Sequence, residues 1–366
     1  MNNWKLNSNG FAKRLPKADQ KLLENPEFQN ALRAAGLEQI AAFNQGVALY
    51  HRHPHRHQPS PHETLWRHGN ITLDYYGAAK KKAKPVLLVP SLINRAYILD
   101  LLPEQSFVQY LVDQGFAPYI LDWHEPGAIE SGWNLSDYIS QALLPALTAI
   151  IADSGKPPLV LGYCMGGILA LGLAALAPQA MKGLIFLATP FDFHTEDKAR
   201  AKALGQLAEG WRPVLEKNLF PIDVIQALFL SFDPLAGVRK FSSLPERPSA
   251  EQRRFVALED WINDGVPLAG KVAIDALEGW YGSNVIAKNL WRVAGKYVQA
   301  RYIEVPSLVV VPKHDKIVPP ASAAALAEAL PDAHCIHVEA GHIGMMASLD
   351  APKQVWPQIV KWCNNV

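Results

Sequence analysis

The sequence predicts an α/β protein with a mainly parallel sheet flanked by helices and an inserted, mostly helical cap. Short apolar runs of strand length alternate with stretches of helical length from about residue 85 to 190. The alternation stops over 191–302 and resumes at Ser307. One apolar run ends in Gly162-Tyr-Cys-Met-Gly166, a glycine-flanked turn between a strand and a helix.

Composition sets the outer limits. The 366 residues are 49% hydrophobic and 19% charged, which suits a folded globular chain and not a disordered one. A formal net charge of +1 gives no sign of a nucleic-acid partner. Three cysteines, none in C-x-x-C spacing, do not suggest a disulfide framework or a zinc site. The segment Met1–Gly10 is polar and lacks the apolar centre of a signal peptide, and no apolar run reaches the length of a membrane span. The expected location is the cytoplasm.

Residues 1–60 read as a helical extension and a connector. Lys17–Gly46 has apolar residues at helical spacing around Leu22, Phe28, Leu32 and Ile40. A histidine-rich tract, His51–His57, follows; Pro54 breaks it, so it reads as a solvated connector with metal binding as the lesser alternative. The core is expected over 61–190 and 303–366. It starts with a hairpin, Thr64–Arg67 and Ile71–Tyr76, around His68-Gly-Asn70. Pro85–Val89, Ala117–Asp122, Leu159–Gly162 and Leu184–Ala188 are short apolar runs, as in strands buried on both faces. Helical stretches at Tyr97–Gln114, Leu135–Asp153 and Gly166–Leu176 separate them. Ser307–Val311 and Cys335–Val338 complete the sheet. The cap, 191–302, holds Trp211, Trp261, Trp280 and Trp291, which either line an acyl pocket or form the cap's own core.

The turn at 162–166 has the form of the nucleophile elbow of α/β-hydrolases, with cysteine in place of serine. Both glycines are required because the turn is tight. Cys164 would stand at a helix N-terminus, whose dipole favours a thiolate. In this fold the acid and the histidine follow in that order along the chain. Asp315 lies just beyond the strand 307–311. His342 follows the last strand between Gly341 and Gly344. His314, His334 and His337 read as ordinary surface or core residues, and Glu339 as a poorer acid. Cys335 and Cys363 read as packing residues. The oxyanion is expected to meet the backbone N–H of Met165 and of Leu92 or Ile93, in the loop Pro90–Arg95. Tyr163 and Trp261 are the expected substrate contacts, and no metal is expected. Arg95, Lys313 and Lys316 lie on loops near the same edge and read first as solvated surface charges, with phosphate contact as the alternative.

Several segments, in order, resemble the poly(3-hydroxyalkanoate) synthases, especially the short-subunit type. They are Pro90–Asp100, Tyr110–Gly115 with Asp122-Trp123, and Gly162–Gly167. Leu258–Trp261 with Asp264 and Pro267–Gly270, Asp315–Pro319, and Gly341–Gly344 continue the set. The resemblance implies an acyltransferase that loads a 3-hydroxyacyl group from coenzyme A onto Cys164. His342 would serve as base and Asp315 as its partner, with no separate cofactor. It further implies a growing polyester or granule surface as partner, and a second synthase subunit or a homodimer. A Cys-dependent thioesterase or depolymerase is the alternative, because the same acyl-enzyme serves water as acceptor. A non-catalytic granule or scaffold subunit is the alternative from another class.

Overall fold

The computed structural model describes residues 22–77, 83–231 and 233–366. They form two compact units: Arg56–Phe232 with Ala257–Val366, and a smaller one that joins the helix Pro26–Arg52 to Asp233–Val256.

The larger unit is built on eight strands. These are β1 (Glu63–His68), β2 (Ile71–Tyr75), β3 (Lys84–Val89), β4 (Phe116–Asp122), β5 (Leu159–Tyr163), β6 (Gly183–Leu187), β7 (Ser307–Pro312) and β8 (Ala333–Val338). Their order across the sheet is β1-β2-β4-β3-β5-β6-β7-β8. The hairpin β1–β2 is antiparallel, and β2 meets β4 antiparallel; every pair from β4 to β8 is parallel. All eight strands coincide with apolar runs or alternations legible in the sequence. The inner strands β3, β5, β6 and β7 are buried almost throughout, whereas the edge strands β1 and β8 are largely open.

Two-residue alternation divides the side chains between two apolar layers. Leu87 and Val89 face the layer holding the helices Leu135–Ser154 and Met165–Leu176. Val86 and Leu88 face Phe107–Asp113 and the terminal helix Trp356–Asn365. The helix Leu135–Ser154 starts at a capping box between Asn134 and Asp137 and ends at Gly155. By length and composition it reaches the dimensions of a membrane span, which corrects the expectation of no such run. Its Leu135, Ile139, Leu143, Leu147 and Ile150 are nevertheless fully buried against the sheet.

The expected cap segment is mostly helical, with Lys198–Leu215, Ile222–Leu230, Ala236–Ser242, Ser249–Asn263 and Gly270–Ile274. A wide π-type turn, Asp275–Gly282, follows directly. Compactness divides it otherwise than the expected 191–302 boundary, because Asp233–Val256 groups with the N-terminal helix. Its tryptophans differ: Trp261, Trp280 and Trp291 are buried, and Trp211 is exposed.

In the smaller unit, the Asn25 side chain caps the helix Pro26–Arg52 by accepting from the Glu27 and Phe28 N–H groups at 2.8 and 3.3 Å. The expected start at Lys17 lies outside the described residues. A Cβ at Gly46 would fall 1.9 Å from the Phe241 carbonyl oxygen, so the helix packs closely there. Phe43, Tyr50 and Phe255 each meet the Phe241 ring edge-on. Leu32 and Ile40 are exposed, so their spacing marks the helix without marking a buried face. The helix also takes in the first two residues of the histidine-rich tract. His57, at the tract's end, stacks on Tyr97.

Candidate active site

Strand order reverses around β3: β4 lies on one side and β5 on the other. Clefts in open α/β sheets form beyond the C-terminal ends of the strands at such a point. Val89, which ends β3, pairs with Gly162 of β5. The loop Pro90–Arg95 and the turn at Cys164 therefore leave the sheet side by side.

Cys164 has φ 55° and ψ −123°, a backbone state that costs a non-glycine residue about 1–3 kcal/mol. The surroundings enforce it. Its N–H donates to the Leu187 carbonyl at 2.8 Å, and its own carbonyl accepts from the Gly167 N–H at 3.0 Å. Three glycines let the turn close. A Cβ at Gly162 would lie 2.4 Å from the Gly167 Cα. One at Gly166 would lie 2.0 Å from the Val89 carbonyl oxygen, and one at Gly167 would lie 1.9 Å from Thr189 Oγ1. Gly166→Ala is expected to destabilise the protein by about 3 kcal/mol or more, because the obstacle is backbone that cannot move aside. Urea unfolding checks this; an unchanged midpoint would refute the close-approach argument.

Asp315 and His342 come from the loops after β7 and β8. The Asp315 carboxylate is buried, and one oxygen accepts from the Ile317 and Val318 N–H groups, both at 2.8 Å. The other oxygen accepts from His342 Nδ1 at 2.7 Å. His342 also lies against the elbow: its ring stacks on that of Tyr163, the residue before Cys164, at 5.4 Å. Burial alone would depress the imidazole pKa. The Cys164 charge and the hydrogen bond to Asp315 outweigh it and raise the value to about 10.

The other expected residues fall in different places. Met165 opens the helix behind Cys164, with its N–H among the unpaired donors of the first turn. Leu92 is buried, while the Ile93 N–H donates to Ser91 Oγ at 3.3 Å. Tyr163 and Trp261 sit within the structure and not on an open wall. The Tyr163 hydroxyl donates to the His342 carbonyl at 3.0 Å, and the two rings stack at 5.4 Å. Trp261 donates its indole N–H to the Arg95 carbonyl at 2.8 Å. Glu339 turns outward to Lys313 and His314. Burial raises the pKa of Cys335, and raises that of Cys363 to about 12, so both stay thiols at neutral pH.

Sequence reasoning missed Tyr281, on the π-type turn. Its phenol pKa is raised to about 12, first by burial and then by the charge of Cys164. Its carbonyl is hydrogen-bonded to His194 Nε2 at 2.7 Å, and its ring meets Phe193 edge-on. The only sequence signal was an aromatic in a helical stretch, a pattern that ordinary cores share.

The fold and the strained turn define an α/β-hydrolase-fold protein with cysteine at the elbow. A family model for the alpha/beta hydrolase fold matches residues 84–348. Solved structures agree on the fold. One is a non-heme bromoperoxidase, BpoC, from Mycobacterium tuberculosis, with a TM-score of 0.53 at 18% identity, covering 86% of this chain and 99% of that one. Another is a monoacylglycerol lipase from Paleococcus ferrophilus, with a TM-score of 0.52 at 17% identity, covering 80% of this chain and 98% of that one.

Sequence relatives narrow the group. The poly(3-hydroxyalkanoate) polymerase subunit PhaC of Synechocystis is 30% identical over 295 residues, covering 77% of this chain and 78% of the relative. PhaC of Haloferax mediterranei is 30% identical over 320 residues, or 83% of this chain, and PhaC of Allochromatium vinosum is 27% identical over 84% of it. The chain belongs to the poly(3-hydroxyalkanoate) polymerase PhaC family. It spans 89% of the Allochromatium protein's length but only 63% of the Haloferax protein's.

Proposed function

We propose that this protein is an acyltransferase that polymerises 3-hydroxyacyl-CoA through an acyl group carried on Cys164. The observation that carries this reading is the buried His342–Asp315 hydrogen bond set against the strained turn after β5, where the His342 ring stacks on Tyr163 next to Cys164. His342 holds the proton of the thiol as an imidazolium paired with the Cys164 thiolate, and Asp315 holds the ring and stabilises this cationic form. The thiolate adds to the thioester carbon. The resulting oxyanion meets the N–H groups of Met165 and Leu92. Collapse breaks the bond to the coenzyme A sulfur, which leaves with the proton from His342.

The exchange of one thioester for another is nearly isoenergetic, so the acyl-cysteine stays reactive. His342 then takes the proton from the hydroxyl of another acyl unit or chain end. That oxygen attacks the acyl-cysteine, an ester forms, and the Cys164 sulfur leaves and is reprotonated. The thioester supplies the activation, so the reaction needs no cofactor. Water must be excluded for the hydroxyl to win. The helical segments after β6 are suited to exclude it, and the buried state of Asp315 and His342 is consistent with a closed site. The proposed setting is the cytoplasmic surface of the growing polyester, with a second subunit or copy as partner.

Incubation with 3-hydroxybutyryl-CoA tests the proposal. Thiol release accompanied by polymer is the expected result. Free 3-hydroxybutyrate as the sole acyl product would make the protein a thioesterase instead.

A further inference from the structure

The loop Pro90–Arg95 is held from outside at three of its carbonyls. Trp123 Nε1 donates to the Pro90 oxygen at 3.0 Å, and the Val266 N–H donates to the Ile93 oxygen at 2.9 Å. Trp261 Nε1 donates to the Arg95 oxygen at 2.8 Å. Asn94 pairs with Gly265 as an antiparallel bridge, and Arg95 Nε lies 3.2 Å from Asp264 Oδ1. The six residues 261–266 thus supply most of the restraints on a loop that is nearly 170 positions away in sequence, as the Trp261–Arg95 separation of 166 shows.

We propose that the segment Trp261–Val266 is a clamp that positions the loop Pro90–Arg95, and with it the Leu92 N–H, for the oxyanion. Trp261, Asp264 and Arg95 are then positioning residues that act on the reaction without touching the substrate. The inference rests on the reading of Cys164 as acyl acceptor. The physical reason is geometric. An oxyanion donor works only at hydrogen-bond distance from where the charge develops, and a displacement of about 1 Å can cost about a hundredfold in rate. A loop anchored only at β3 has no such precision. A loop whose carbonyls are tied at both ends and in the middle does.

Two reactions of Cys164 separate positioning from folding. Acylation by p-nitrophenyl acetate passes through an oxyanion, whereas alkylation by iodoacetamide is a displacement at saturated carbon and does not. Trp261→Phe keeps an aromatic side chain, though a smaller one, and removes the N–H; Asp264→Asn keeps the shape and removes the charge at a half-exposed site. Trp261→Phe is expected to slow the acylation burst about tenfold or more while alkylation stays within about twofold of wild type. Asp264→Asn is expected to show the same pattern at smaller amplitude. Equal losses in both reactions, or unchanged acylation in both variants, would overturn the clamp while leaving Cys164 as acyl acceptor. A wild-type protein not acylated at Cys164 would instead overturn the reading on which the clamp rests. Acylation of Cys164 without polymer from 3-hydroxybutyryl-CoA would leave the clamp standing and remove only the synthase reading.

Discussion

Cys164→Ala is expected to lower acyl transfer from 3-hydroxybutyryl-CoA by at least about a thousandfold, because it removes the covalent route and not merely a contact. Folding should survive, since alanine fills less space than cysteine and Cys164 is only partly buried. The positive φ that cysteine already tolerates applies to alanine as well. The control is internal. Cys335→Ala and Cys363→Ala should retain transfer, since burial holds both as thiols. Cys363→Ala carries some stability cost from a small cavity. Mass spectrometry after a short incubation should find the acyl adduct on Cys164 alone. Full transfer in Cys164→Ala would leave the non-catalytic scaffold as the better account.

Asp315→Asn is expected to cost about a hundredfold or more in transfer and to change the pH response. His342 has its pKa raised from 6.5 to about 10 in the folded protein. A group raised in this way adds stability that is fully present below pH 6.5 and is lost as pH climbs through about 10. Wild-type stability should therefore decline across that alkaline window. Removing the carboxylate deletes one of the interactions that raise the imidazole, so the decline in Asp315→Asn should begin at lower pH. Thermal melting from pH 6 to 11 reads this directly. Superimposable profiles for the two proteins would show that Asp315 does not act on His342.

The sheet was legible because its signals are local and strong. Pro85–Val89 and Ser307–Val311 are continuous apolar runs, and burial on both faces demands that pattern. The elbow was legible for a related reason. Gly162 and Gly166 are dictated by backbone atoms less than 3 Å from where a Cβ would sit, so the chain carries a visible mark. Trp261 and Tyr163 were harder. An indole beside a cleft and an indole that ties down a loop look alike in sequence, and only the bond to the Arg95 carbonyl separates them. The apolar spacing of Leu32 and Ile40 revealed a helix without revealing which face is covered, because periodicity reports conformation before burial. The division of 191–302 followed long-range packing of Phe241 and Phe255 with the N-terminal helix, which no local pattern announces.

The sterics around Cys164 separate what evolution or a protein engineer is free to change from what is forbidden. Glycine at 162, 166 and 167 is demanded by neighbouring atoms, and those atoms do not depend on the chemistry performed. The residue at 164 is different: its backbone is strained whatever side chain it bears, and no main-chain hydrogen bond there involves sulfur. Architecture and reactivity are thus encoded at adjacent but independent letters. One substitution at the centre of the turn exchanges the nucleophile while the frame stands, so a lineage can move between thiol and hydroxyl chemistry without first rebuilding its fold.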